Sequence, residues 1–421
     1  MYLCVFEDNL VSNLYPLTYF RPAYALRCGA MSLREKILAH FPGATLTLHA
    51  RSYLSDYLQE RHPGAAVNQI KADRCLFVNG RVLADARLVK QITVKSKEDL
   101  AFVQGDTVVA AWVSGSHLEM LGRKLADGPL RAGSFDGLPR RDIEARLIQY
   151  PWDLLSANGD EIVSDIRILS MRTKKRVQGK IHPGVRFVNS RAIYVGKHST
   201  VMPGAVLDAE SGPIYVDDDV HLYPNAVVEG PAFVGRGSAV KIGAKIYGKT
   251  SIGSVCKVGG EVEGSIIHSF ANKQHEGFLG HSYLCPWVNL GADTNTSDLK
   301  NDYGPVKLVI NGERVDSGQM LVGLFMGDHS KSGINTMFDT GTVVGVCCNL
   351  YGSGFPPKFV PSFSWGGRER LVEYRLAKSL EVAARVMGRR GVPLSPAYES
   401  TYRTVFELTA GDRERMRVFA E

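Results

Sequence analysis

The sequence predicts an α/β domain, then a left-handed parallel β-helix, then a short helical tail. Three observations carry this. Strand-like and helix-like segments alternate over residues 1–160, an aliphatic residue recurs every six positions through 161–365, and helical spacing of apolar residues takes over in 366–421.

In the first region YLCVF (2–6), ATLTLHA (44–50), CLFVNGRV (75–82) and TVVAAWV (107–113) read as strands, and 31–41 and 52–61 as helices. Alternation of this kind suggests a doubly wound sheet, whose ligands sit beyond the C-terminal ends of the strands. The loop after the first strand is therefore the place to look for chemistry. It holds Arg21, Arg27, Gly29, Arg34, Glu35 and Lys36. Guanidiniums and an ammonium so close together can hold the phosphates of a nucleotide. An ordinary ion-paired helix start is the alternative.

The second region keeps a six-residue clock: Val216, Leu222, Val228, Val234, Val240, Ile246, Ile252, Val258. Four places after each stands Val220, Ala226, Ala232, Ser238, Ala244, Thr250, Cys256 or Val262. The same period is set earlier by Val195, Val201 and Leu207, and resumes at Leu284 and Leu290. It runs again through Met326, Ser332, Phe338, Val344 and Leu350. Three such hexads make one triangular coil. The aliphatic residue points inward and stacks on its equivalent in the next coil, while the small residue fits the corner. Segments 264–283 and 295–320 break the clock and are expected to leave the prism as loops on its functional face.

After Trp365 the residues Leu371, Val372, Leu376, Leu380, Ala383, Val386 and Met387 fall mostly three and four apart, which predicts a helix. A second is expected from Tyr398 to Phe419. Both are placed to cap the open end of the prism.

Composition narrows the function classes. Fifty Lys and Arg against 43 Asp and Glu give a net charge of +7, which suits phosphorylated substrates. No like-charge block suggests a nucleic-acid arm; Arg172, Lys174, Lys175 and Arg176 read as a solvated linker. The seven cysteines form no C-x-x-C pair and read as reduced thiols. No apolar run approaches the ~20 residues that span a bilayer. The expectation is a soluble, cytoplasmic protein that binds neither nucleic acid nor membrane.

Five strings then carry a resemblance: PLTYFRPAYALRCGAMSLREK (16–36), YPWDLL (150–155), NKQHEGFLG (272–280), NLGADTNTSDLKNDY (289–303) and MGDHSKSGINTMFDTGTVVG (326–345). Nearly end to end, the chain resembles the alternate form of the bifunctional enzyme of UDP-N-acetylglucosamine synthesis, a uridylyltransferase joined to a glucosamine-1-phosphate N-acetyltransferase. The resemblance implies a nucleotidyltransferase-like first domain, acetyl-CoA as co-substrate, Mg²⁺ for nucleotidyl transfer, UTP and amino sugar phosphates as partners, and a homotrimer.

It also implies roles. His275 falls where the family has its base, which takes the ammonium proton as the amine attacks the thioester. Asp298 falls where the family has an Asn that polarises the thioester carbonyl. An ionised Asp cannot donate to an oxyanion, so Asn295, Asn301 or a backbone N–H takes that role, or Asp298 orients the amine. Lys273 and Lys307 are candidate phosphate or CoA contacts. Lys241 is a candidate for the sugar phosphate, and Glu261 and Glu263 for the sugar amine or hydroxyls. A solvated side chain is the alternative at each.

The first domain departs from the pattern. EDNLVSNLYPLTYFRP lacks the glycines whose N–H groups cradle a triphosphate, so Arg21, Arg27 and Lys36 are expected to hold phosphates instead. Asn79 and Gly80 match the relatives' N-G-D, but Arg81 stands at the metal-ligating Asp. Asp85 or Asp106 is expected to substitute. Loss of nucleotidyl transfer in an otherwise binding-competent domain is the alternative, as is a non-enzymatic trimeric scaffold or sensor. A zinc carbonic anhydrase reading would use His268, His275, His281 and His329. Which sugar and which nucleotide are used stays open.

Overall fold

A computed structural model describes residues 1–93, 98–171, 173 and 175–419. Arg172 and Lys174 of the expected linker lie outside the described residues; Lys175 and Arg176 are exposed.

The first region is one seven-stranded sheet. Its strands are β1 (Tyr2–Phe6), β2 (Thr45–His49), β3 (Ala66–Val67), β4 (Arg74–Asn79), β5 (Leu100–Gln104), β6 (Thr107–Ser114) and β7 (Arg140–Asp142), in the order β3-β2-β1-β4-β6-β5-β7. β1 to β4 are mutually parallel, as expected, but β6 runs antiparallel to both β4 and β5. The short turn between β5 and β6 makes a hairpin, so the sheet is mixed rather than doubly wound throughout. Helix α1 (Leu33–His40) starts in a capping box between Ser32 and Glu35. Helices α2 (Ser55–Arg61), α3 (Ala86–Ile92) and α4 (Gly115–Lys124) follow.

The YPWDLL string opens α5 (Pro151–Met171), which continues past the expected boundary at 160. It joins the two halves. Asn158 Oδ1 accepts from Gly29 N at 2.7 Å and from Ser251 Oγ at 3.0 Å, while its Nδ2 donates to Lys249 O at 2.7 Å.

From Lys180 the chain winds a prism with three parallel faces. The first face begins Lys180–Ile181, Thr200–Val201, His221–Leu222; the second Arg186–Val188, Val206–Asp208, Val227–Glu229; the third Ile193–Val195, Ile214–Val216, Ala232–Val234. The clock residues Val216 to Val258 are all buried and stack as expected: Val216 on Val234 on Ile252, and Leu222 on Val240 on Val258. Hydroxyls at the small positions close the corners. Ser238 Oγ donates to Gly253 O at 2.7 Å and accepts from Cys256 N at 2.9 Å.

The two interruptions differ from expectation. Residues 264–283 stay in the prism, because the coil shortens: Ile252 pairs with Ile267 and Val258 with Lys273, fifteen residues on instead of eighteen. Of the second, Asn295–Thr296 also stays, paired with Met337–Phe338, and the part that leaves forms a hairpin of Lys307–Ile310 and Glu313–Asp316.

The tail also departs from expectation. Leu371 and Val372 lie in an antiparallel strand, Leu371–Glu373, that closes one face. Helices α6 (Leu376–Gly388), α7 (Pro396–Leu408) and α8 (Ala410–Arg415) come after it. Rather than capping the open end, α6 and α7 pack along one prism corner, where Phe270, Trp287, His329, Cys347 and Phe363 all take positive φ. The aromatic residues among them leave the solvated surface only when the helices and Tyr19 and Phe20 cover them, which is why the tail lies there. Among the described residues no helix is long and apolar enough to cross a membrane.

Candidate active sites

His275 sits on the corner between the first-face strand Asn272–Lys273 and the second-face strand Phe278–Gly280. Its imidazole is exposed and has no hydrogen-bond partner among the described residues. The corner beneath it is braced from inside. Lys273 occupies the inward row of Val240 and Val258, is 2% exposed, and donates from Nζ to His275 O at 2.7 Å. Burial first, with Lys245 adding to it and Glu276 opposing, pushes the Lys273 ammonium down to about 8. This corrects the expectation of a phosphate or CoA contact: Lys273 braces the corner from inside. Gly277, at φ +116°, completes it, since a Cβ there would meet Thr294 O at 2.3 Å.

The second face carries Glu261 beside Phe278, and Glu263 beside Gly280. Lys245 lies 4.0 Å from Glu261 and 3.8 Å from Glu276. Lys241 lies along the same prism edge as Gly259 and Gln274, with Nζ 4.3 Å from the Tyr223 ring centre. Lys307 lies away on the excursion hairpin, exposed and 3.8 Å from Asp316.

Asp298 is not beside His275. It lies at the far end of the Phe278–Gly280 strand, where its Oδ2 accepts from His281 Nδ1 at 2.7 Å. Gly280 makes room, because a Cβ there would stand 2.1 Å from that oxygen; Gly264 does the same for the His281 ring. Asn295 is engaged within the backbone: its Oδ1 accepts from Phe278 N at 2.8 Å and its Nδ2 donates to Asp293 O at 3.0 Å. That corrects its candidacy as an oxyanion donor. The His281–Asp298 pair was missed by sequence reasoning. A spacing of about one coil, which sets two side chains one above the other, was the available signal.

In the first domain a cavity of about 330 Å³ opens beyond β1, lined by Asp8, Asn9, Asp106, Arg131 and Gly133 among others. Arg81 is fully buried beside it. Its Nε donates to Asp8 Oδ1 at 2.8 Å and its Nη2 to Asp8 Oδ2 at 2.6 Å, and Asn79 Nδ2 adds a third bond to Asp8 at 2.9 Å. Asn79 is thus a buried bracket, and Gly80 admits Tyr24, whose Cδ1 would be 2.8 Å from a Cβ. The carboxylates do not fit the expected Mg²⁺. Asp8 faces a guanidinium, Asp85 caps α3 by accepting from Leu88 N at 2.8 Å, and Asp106 alone remains on an exposed turn. Among the described residues no group of three His, Cys, Asp or Glu gathers for a metal.

Two of the expected phosphate ligands are buried ion pairs. Arg21 binds Asp328 bidentately, and Lys36 Nζ lies 2.7 Å from Glu161 and 2.5 Å from Asp165. Both are thereby withdrawn from any ligand. The Arg27 guanidinium donates to Ala30 O, lies over the face of Phe233 and is within electrostatic reach of Glu35. The histidines of the zinc reading are dispersed: His268 bonds Ala25 O, His281 bonds Asp298 and His329 bonds Tyr398.

Residues 3–174 match a family model described as sugar nucleotidyl transferase. A "Bifunctional sugar-1-phosphate nucleotidylyltransferase/acetyltransferase" of Sulfurisphaera tokodaii is 33% identical over 91 residues, 22% of this chain and 23% of that one. The chain is similar to bifunctional nucleotidyltransferase/acetyltransferases. A "Bifunctional protein GlmU" of Methanocaldococcus jannaschii is 39% identical over 88 residues, 21% of each chain. Another from Methanococcus maripaludis is 30% identical over 199 residues, 47% of this chain and 41% of that one. The chain thus spans less than half the length of each of these three relatives.

Proposed function

We propose that this chain is a cytoplasmic enzyme of UDP-N-acetylglucosamine synthesis, acetylating glucosamine-1-phosphate from acetyl-CoA on a left-handed prism and handling UTP in its first domain. The observation that carries the acetyl-transfer reading is the free imidazole of His275 on its braced corner. Cytoplasmic placement is supported by seven cysteines that are all free and buried.

In this reading His275 takes the proton from the sugar ammonium, and the amine then adds to the thioester carbonyl. The tetrahedral intermediate collapses as the C–S bond breaks, and the second proton of the attacking nitrogen passes to the departing sulfur, giving the amide and CoA thiol. Glu261 and Glu263 flank the sugar. A homotrimer is supported by the resemblance alone. An ionised Asp298 cannot donate to the oxyanion. Its part is to hold the His281 imidazole, whose Nε2 is the candidate polar contact.

The second reading, nucleotide binding without uridylyl transfer, is favoured by the Arg81–Asp8 pair, which puts a guanidinium where relatives carry a metal-binding carboxylate. One preparation tests both. CoA release with acetyl-CoA and glucosamine-1-phosphate is expected in the wild type and lost in His275→Ala. Its absence with every amino sugar phosphate would sink the acetyl-transfer reading. Pyrophosphate release from UTP and N-acetylglucosamine-1-phosphate separates catalysis from binding in the first domain.

A further inference from the structure

The loop after β1 and the helices that follow it carry more positive charge than the fold neutralises. Arg21 and Lys36 are ion-paired, whereas Arg27, Arg34 and Arg61 make no ion pair among the described residues. All three line a cavity of about 260 Å³ between the loop, the prism corner and the tail helices. Glu35 is the one carboxylate in its wall; its Oε2 accepts from Ser32 N at 2.7 Å and Ser32 Oγ at 2.8 Å. Its single charge offsets part of that of Arg27 and Arg34, while Arg34 also bonds the His62 ring, so three guanidiniums still face one carboxylate.

Two further features point to a ligand. Arg27 Nε is buried with no acceptor, a donor whose desolvation nothing repays. In the same wall Phe270 and Trp287 stack at 4.4 Å and 16°, and Tyr57 lines it with them. Guanidiniums and aromatic rings lining one cavity match a phosphate joined to a planar base. The volume, just below the ~300 Å³ at which small-molecule sites begin, suits a nucleoside monophosphate or one end of a larger nucleotide.

We propose that this junction cavity is a nucleoside-phosphate site, distinct from the cavity beyond β1 and independent of the reading of His275. Its walls come from all three parts of the chain, so an occupant favours the conformation in which they are docked. Two histidines in the wall report on it. Burial first, then Arg34 and Arg61, push the His62 imidazole down to about 4, and burial first, then Arg21 and Arg27, holds His268 well below its ordinary value. A bound phosphate offsets that cationic field and raises the His62 pKa.

The test is calorimetric titration of the full chain with UMP, uridine and inorganic phosphate. It compares wild type, Arg34→Gln/Arg61→Gln, and Arg131→Ala at the other cavity, with far-UV circular dichroism checking the fold. UMP is expected to show an affinity that the double variant weakens at least about tenfold and Arg131→Ala leaves in place, any further binding at the other cavity being lost in Arg131→Ala, with uridine and phosphate each weaker than UMP. The His62 ring-proton titration moves upward on UMP addition. Unchanged UMP affinity in a folded double variant, or loss confined to Arg131→Ala, overturns the proposal. Phosphate binding as tightly as UMP overturns the nucleoside part. If the double variant does not fold, the His62 shift in the wild type decides, and its absence at saturating UMP overturns the site.

Discussion

His281 Nδ1 donates to Asp298 Oδ2 at 2.7 Å across two adjacent coils, with Gly280 and Gly264 supplying the space for both side chains. The carboxylate fixes the imidazole tautomer, leaving Nε2 as the atom free to act on a ligand. Asp298→Ala is expected to lower kcat for acetyl transfer about 10²-fold or more, with KM for the amino sugar phosphate little changed. His281→Gln should fall with it, and the double variant no further than either alone. Steady-state CoA release across the four proteins is the measurement; additive losses would mean that the two residues act separately.

Gly280→Ala is a structural probe of the same pair. A Cβ there meets Asp298 Oδ2 at 2.1 Å and the Phe278 ring at 2.6 Å, so the pair must separate. Stability is expected to fall by about 1–3 kcal/mol, with kcat dropping as in Asp298→Ala. Urea denaturation alongside CoA release checks both.

Lys273 makes stability depend on pH in a stated direction. Its ammonium is pushed down to about 8, against an unfolded value of 10.5, so between these values the unfolded chain holds more protons. Its contribution therefore raises stability as pH climbs from about 8 towards 10.5. Lys273→Met, which keeps the inward row apolar, should abolish that rise in denaturant midpoints while loosening the His275 corner and lowering kcat.

Arg81 and Asp8 form a buried pair in which removing one partner strands the other. Arg81→Ala is expected to cost about 3–5 kcal/mol, and Asp8→Ala/Arg81→Ala less than the sum of the single changes. A double-mutant cycle by chemical denaturation measures the coupling.

Much of the prism was legible because the inward row is repeated. Val216, Val234 and Ile252 stack in the order in which the clock counts them. Where the coil shortens, the clock fails: Lys273 fills an aliphatic position, and the stretch that seemed to leave the prism stays in it. His275 was singled out by its string, but as part of a loop; that it stands on a corner of the prism came from the stacked coils. The His281–Asp298 pair was not, since each residue reads as an ordinary polar position until the coils are stacked.

By itself the sequence determined the local periodicities, and with them the sheet-bearing first region, the stacked coils and the helical tail. Those follow from residue spacing alone, because a period of six or of 3.6 selects one face of the backbone wherever the chain goes. Only the tertiary structure decided which charges are available. Arg21 meets Asp328, Lys36 meets Glu161 and Asp165, and Arg81 meets Asp8, while Arg27, Arg34 and Arg61 are left facing a cavity. These partners lie up to 307 residues apart, and which cation a carboxylate reaches is set by how the elements dock.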